Sequence, residues 1–273
     1  MKNIYLIIFA FIPFLFFGQS VDFKIKYTPQ TKYLQKVKQS IENTLQYTAS
    51  DDILEKLKEK GVQNPTVTTN INTIESVFKS GKLQSDGTFP ISLEFLNSID
   101  SENKTIIPSG TLIYGRGTVS KMPTLDSIVA KDLDETFKKN LLETVQSTFS
   151  QLDLPAKTII VGESFSQETP FNIPIAGISL EMVLTTTYKL VNIVNKTANF
   201  DISVLYIMKI SVEKYNIQGS GTGTGKMNYD TVNHFPTKYD LDTEMVFDMK
   251  QETFSLQAKT KSGFYQTVQI LKN

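Results

Sequence analysis

The chain has 273 residues, 28 basic and 28 acidic side chains, one histidine and no cysteine. Disulfides, thiolate metal sites and a lipid-modified cysteine behind a leader are therefore excluded. Nucleic acid is a poor partner as well, because near-neutral charge and a single arginine, Arg116, supply no basic patch.

The first segment is Met1-Lys2-Asn3, an uncharged run from Ile4 to Phe17, then Gly18-Gln19-Ser20. A short basic region, an apolar region and small residues at the cut describe a secretory signal peptide over residues 1–20, with cleavage after Gly18 or after Ser20. The competing reading is a membrane anchor. A spanning helix needs about 20 apolar residues, whereas this run is shorter and carries Pro13. The mature chain, residues 21–273, is expected in the periplasm or outside the cell as one β-rich domain with no transmembrane segment.

Val21 to Tyr27 alternates, and Pro29-Gln30-Thr31 reads as a turn, so a hairpin is predicted between that stretch and Tyr33–Tyr47. Tyr33, Val37, Ile41, Leu45 and Tyr47 share one parity, as a strand requires, although Leu34, Val37, Ile41 and Leu45 also suit a helix. Asp51–Lys60 reads as a short helix, with Ser50 ahead of it, acids in its first turn, lysines in its last and Gly61 behind.

The segment Phe89–Ile99 aligns without a gap on Phe200–Ile210, with four of eleven positions identical. Downstream, IYGRGT (Ile113–Thr118) aligns on IQGSGT (Ile217–Thr222), which would place Gly115 and Gly117 on Gly219 and Gly221. The spacing suggests two related modules, about 21–130 and 155–273, with the short helix inserted in a hairpin of the first. Chance likeness between β-rich sequences is the alternative. Between the modules, a helix from about Lys131 to Phe149 (residues 131–150) is predicted. Leu133, Phe137, Leu141, Val145 and Phe149 give it an apolar stripe.

In the second module Ile178, Leu180, Met182, Leu184, Tyr188 and Leu190 share a face, as do Phe200, Ile202, Val204, Tyr206, Met208 and Ile210. Leu241, Met245, Phe247 and Met249 alternate with Asp240, Asp242, Glu244 and Asp248. Antiparallel strands with one buried face read this way.

The phrase LPAKTIIVGESF (Leu154–Phe165), set after the helix and before a glycine-rich strand, resembles the opening of the second half in a family of secreted bacterial proteins of unknown function. Pro155, Val161, Gly162, Glu163, Ser164 and Phe165 carry the likeness. The chain departs from the family in the helix at Asp51–Lys60. The resemblance implies a β-sheet fold and no catalytic residue. A weaker analogy at the level of fold is to the periplasmic lipoprotein carriers, in which a helix lies against a curved sheet.

Chemistry has few materials. His234 is the one candidate for a Ser-His-acid triad, and its surroundings read as an exposed turn with no nucleophile elbow. Gly219, Gly221, Gly223 and Gly225 fit neither the Walker nor the dinucleotide spacing. They predict a bend of the sheet, a seat for the 131–150 helix, or a flexible loop. The acids of residues 240–248 form no calcium loop and read as a solvated face. The Asn-Lys-Thr sequons at Asn103 and Asn195 read as chance.

The expected fold is α+β and mostly β: a long, curved, half-barrel-like antiparallel sheet of two modules, one long amphipathic helix packed on it and a short inserted helix. The expected protein is not an enzyme and uses no cofactor and no metal. It holds a lipid-like hydrophobic ligand in a groove between sheet and helix, with Phe137, Leu141, Val145 and Phe149 as groove candidates. The alternative is an envelope-associated structural or protein-interaction module that fills its own groove, with an envelope protein as partner. A carboxylate-based hydrolase ranks last.

Overall fold

A computed structural model describes residues 18–131, 133–151, 156–175, 178–208 and 217–272; the side chains of 171–175 and 178–180 are outside it. The signal-peptide run, Leu154, Pro155, Ile210 and the faces of Ile178 and Leu180 therefore lie outside the described residues.

The strands are β1 (Ser20–Phe23), β2 (Thr31–Ala49), β3 (Thr66–Ser80), β4 (Thr88–Ile99), β5 (Leu112–Thr118) and β6 (Thr124–Val129), then β7 (Lys157–Ile160), β8 (Ser164–Ile175), β9 (Ile178–Val194), β10 (Thr197–Met208), β11 (Ile217–Asp230), β12 (Phe235–Lys250) and β13 (Phe254–Lys272). Among the described residues two helices interrupt them, α1 (Asp51–Glu59) and α2 (Glu135–Gln151). Eleven strands form one antiparallel sheet in the order β6-β5-β4-β3-β2-β13-β12-β11-β10-β9-β8, while β1 pairs with β7 apart from it.

This corrects the expected architecture. Strand accounts for 65% of the chain and helix for 11%, so the class is mostly β rather than α+β with a dominant helix. The sheet is open. The helices have nine and seventeen residues. Helix α2 starts at Glu135, where Asp134 Oδ1 accepts the Phe137 amide at 2.8 Å, and not at Lys131. It leans on the edge strand β6 and reaches the core from Leu141 onward: Phe149 is buried, Leu141, Leu142 and Val145 are partly buried, and Phe137 is 36% exposed.

Both sheet edges are blunted. Edge strand β8 carries Pro170 and Pro174, which lack the N–H that an incoming strand would use. At β6 the carboxamide of Gln146 in α2 stands in for a neighbouring strand. It accepts the Leu125 amide at 2.8 Å and donates to the Pro123 carbonyl at 3.2 Å.

The expected opening hairpin does not form. Strand β2 pairs with β3 and β13, and the chain before it crosses to β7. The reason is legible in burial. Val21, Phe23, Ile25 and Tyr27 are all buried, with Asp22 exposed and Lys24 and Lys26 partly so. A hairpin with β2 would have kept all four on a single patch beside β2; instead the segment spans the two core clusters. Val21 and Phe23 belong to a cluster on β8–β12, Ile25 and Tyr27 to one on β2–β5 with Phe149 of α2.

Register also relocates the glycine correspondence. Phe89 faces Gly117, yet Phe200 faces Met227, six residues beyond Gly221. The rows that match are Ile91–Gly115–Leu125 and Ile202–Gly225–Leu241. At Gly115 an added Cβ would run into the Thr124 carbonyl oxygen, and at Gly225 into that of Asp240. If the halves share an origin, Gly225 is the counterpart of Gly115, because β11 has 14 residues where β5 has seven.

Candidate functional site

The expected groove is full. Tyr27 sits among Tyr33, Phe78, Phe149 and Phe235, with ring centroids 5.2, 4.4, 5.6 and 5.1 Å away. Four Ångströms between atoms is van der Waals contact, and rings at these separations leave no room for an acyl chain. Phe23 does the same in the other half, 5.1 Å from Phe165, 5.3 Å from Phe200 and 5.0 Å from Tyr229. Of the four groove candidates, Phe149 is in this packing, Leu141 and Val145 border it, and Phe137 faces outward. Burial pushes the Tyr27 phenol far above its ordinary value, so it stays neutral.

The glycine row of β11 is not a seat for α2. Its space is taken by side chains of β12: a Cβ on Gly221 would lie 2.6 Å from Met245 Cγ and 2.7 Å from the Glu244 carbonyl, and one on Gly223 would lie 2.6 Å from Thr243 Cγ2. Bare glycine here lets β12 fold its own side chains down onto β11.

His234 clamps the crossing segment. Its carbonyl accepts the Lys26 amide at 3.0 Å, and its Nδ1 lies 3.2 Å from the Tyr229 hydroxyl. That hydroxyl donates to the Lys24 carbonyl at 2.6 Å and accepts the Lys24 amide at 3.2 Å. Burial, with Lys24 and Lys26 nearby, holds the His234 imidazole below its ordinary value. Burial likewise pushes the Tyr229 phenol up to about 12. Both groups are thus neutral near pH 7, and the pair acts as a structural clip.

The acids of β12 each have a partner. Lys238 pairs with Asp240 at 2.7 Å, Lys259 with Glu244 at 2.6 Å, and Gln257 donates to Asp248 at 2.9 Å. Tyr265 donates its hydroxyl to Asp242. Among the described residues no group of three or more His, Cys, Asp or Glu could hold a metal ion. Beside this row lies an open trough of about 510 Å³, bounded by residues of β11, β12, β13, β2 and β3. Sequence reasoning saw the acids and missed the trough, since Lys261, Ser262 and Gly263, which line it, fall in a stretch without a motif.

No protein-family model matches the chain, and no curated protein matches it. Likeness to solved structures is weak. OpdQ of Pseudomonas aeruginosa is 6% identical, with 88% of this chain and 100% of that one covered and a TM-score of 0.28. An outer membrane channel from Pseudomonas putida is 7% identical, covering 89% and 97%, with a TM-score of 0.24. OccK7 (OpdD) of Pseudomonas aeruginosa is 5% identical, covering 88% and 100%, with a TM-score of 0.24. These values are too low to carry fold or function across to this chain.

Proposed function

We propose that the protein is an exported, non-enzymatic binding module of the cell envelope, whose interior is structural and whose working surface is the outer, polar face of its sheet. The observation that carries this reading is the filling of the groove by Phe23 and Tyr27 of the chain's own N-terminal segment. A lipid carrier needs that volume free. The alternative placement, as a membrane barrel, meets the opposite chemistry. A spanning barrel shows an apolar band outward. Here the outer face carries Lys36 paired with Glu75 at 2.7 Å, Lys79 paired with Glu94 at 2.9 Å, and the acids of β12.

Native mass spectrometry of protein purified from its own host tests this. The expected spectrum holds the mature chain alone, beginning at Gln19 or Val21. A co-purifying lipid released on activation would overturn the reading, and an intact Met1 in a membrane fraction would overturn export.

A further inference from the structure

The trough on the outer face has the make-up of a sugar site. Two rows cross it in register. Thr224, Asp242, Gly263 and Ser40 lie side by side on β11, β12, β13 and β2, and Thr222, Glu244, Lys261, Glu42 and Thr69 form the next row. Five strands at about 4.8 Å spacing give a floor roughly 20 Å across. The volume, about 510 Å³, falls in the range of small-molecule sites, about 300–1,000 Å³.

At Gly263 the floor is roofed by a neighbouring side chain. A Cβ there would lie 2.7 Å from Tyr265 Oη and 2.8 Å from Ser40 Oγ. The Tyr265 side chain therefore runs back along β13 over the glycine, and its hydroxyl is fixed on Asp242. The half-buried ring thus stands beside the trough, over Gly263 and held by its hydroxyl on Asp242, next to hydroxyls and carboxylates that line it. Sugars ask for this combination. Their hydroxyls donate to carboxylates and accept from Ser, Thr and Lys, and their C–H faces stack on an aromatic ring. Three carboxylates, Glu42, Asp242 and Glu244, outnumber two lysines, Lys259 and Lys261, so a phosphate or polyanion finds no excess positive charge.

We propose that this trough binds a neutral oligosaccharide chain, stacked on Tyr265 and hydrogen-bonded along the Asp242 and Glu244 rows. The proposal rests on the reading that the outer face is the working surface.

Saturation-transfer NMR with cellohexaose, xylohexaose, maltohexaose and chitohexaose as four separate probes tests it. Wild type should transfer saturation to at least one hexaose. Tyr265→Ala should weaken that binding at least about tenfold, the equivalent of losing one stacked and anchored ring. Asp242→Asn should weaken it too, while Phe137→Ala on the far helix leaves it unchanged. Should Tyr265→Ala unfold, Tyr265→Phe keeps the ring and frees it from Asp242, and a several-fold loss is expected. Binding that ignores Tyr265 and Asp242, or no binding of any of the four probes, overturns the proposal. A lipid-free chain that binds none of them loses the ligand class and keeps the envelope-module reading; a lipid-loaded chain loses that reading whatever the sugars do.

Discussion

Phe23 and Tyr27 decide how the interior behaves. Each is a single aromatic side chain enclosed by rings from several strands, so truncation opens a cavity that no neighbour can collapse into. Phe23→Ala should cost about 3–5 kcal/mol, measured by urea unfolding; a loss under about 1 kcal/mol would mean the space is not closed around it. His234 adds a pH dependence of known sign. Its folded-state value is depressed, so the unfolded chain takes up the proton first as pH falls. The clip's stability is complete above the ordinary value of 6.5 and is lost as pH falls from there through the lowered folded value. The melting temperature should drop over that window in wild type and drop less in His234→Gln. Equal profiles would show that the imidazole does not report on the clip. Sequence showed His234 as a turn residue and gave its role no hint, because Lys24 and Tyr229 reach it only through the fold.

Strand parity was legible and partners were not. The buried faces of β9 and β10, with Tyr188, Leu190, Phe200, Ile202, Val204 and Tyr206, are those the alternation predicts. The pattern states which side is inward, and it says nothing about which strand lies opposite. That is why Val21–Tyr27, with flawless alternation, suggested a hairpin with β2 and instead crosses to β7. The apolar stripe of α2 misled for a related reason: Phe137 matches the period, but the helix meets the core only from Leu141 onward. Phe137→Ala should therefore change stability by no more than about 0.5 kcal/mol, against about 3–5 kcal/mol for Phe149→Ala. Gly221→Val should cost about 1–3 kcal/mol through collision with Met245 and the Glu244 carbonyl. A flexible loop would give no change in melting temperature.

At the scale of the molecule, one short segment joins two cores. The β8–β12 cluster holds Val21 and Phe23, the β2–β5 cluster holds Ile25 and Tyr27, and the sheet between them is continuous through β13. Neither cluster is complete without this segment. Residues 21–27 settle on strands that follow them far along the chain, by 205 positions in the contact of Lys24 with Tyr229. Such long-range closure is slow compared with local pairing. A chain starting at Thr28 should therefore keep its strands but lose fixed packing in both halves. Near-UV circular dichroism should collapse, a hydrophobic dye should bind, and far-UV strand signal should persist. Adding a synthetic peptide of residues 19–30 should restore the near-UV signal and expel the dye, because the peptide carries all four inward side chains. A truncated chain that melts at the wild-type temperature would show that the two clusters stand on their own and that the segment only lies over them.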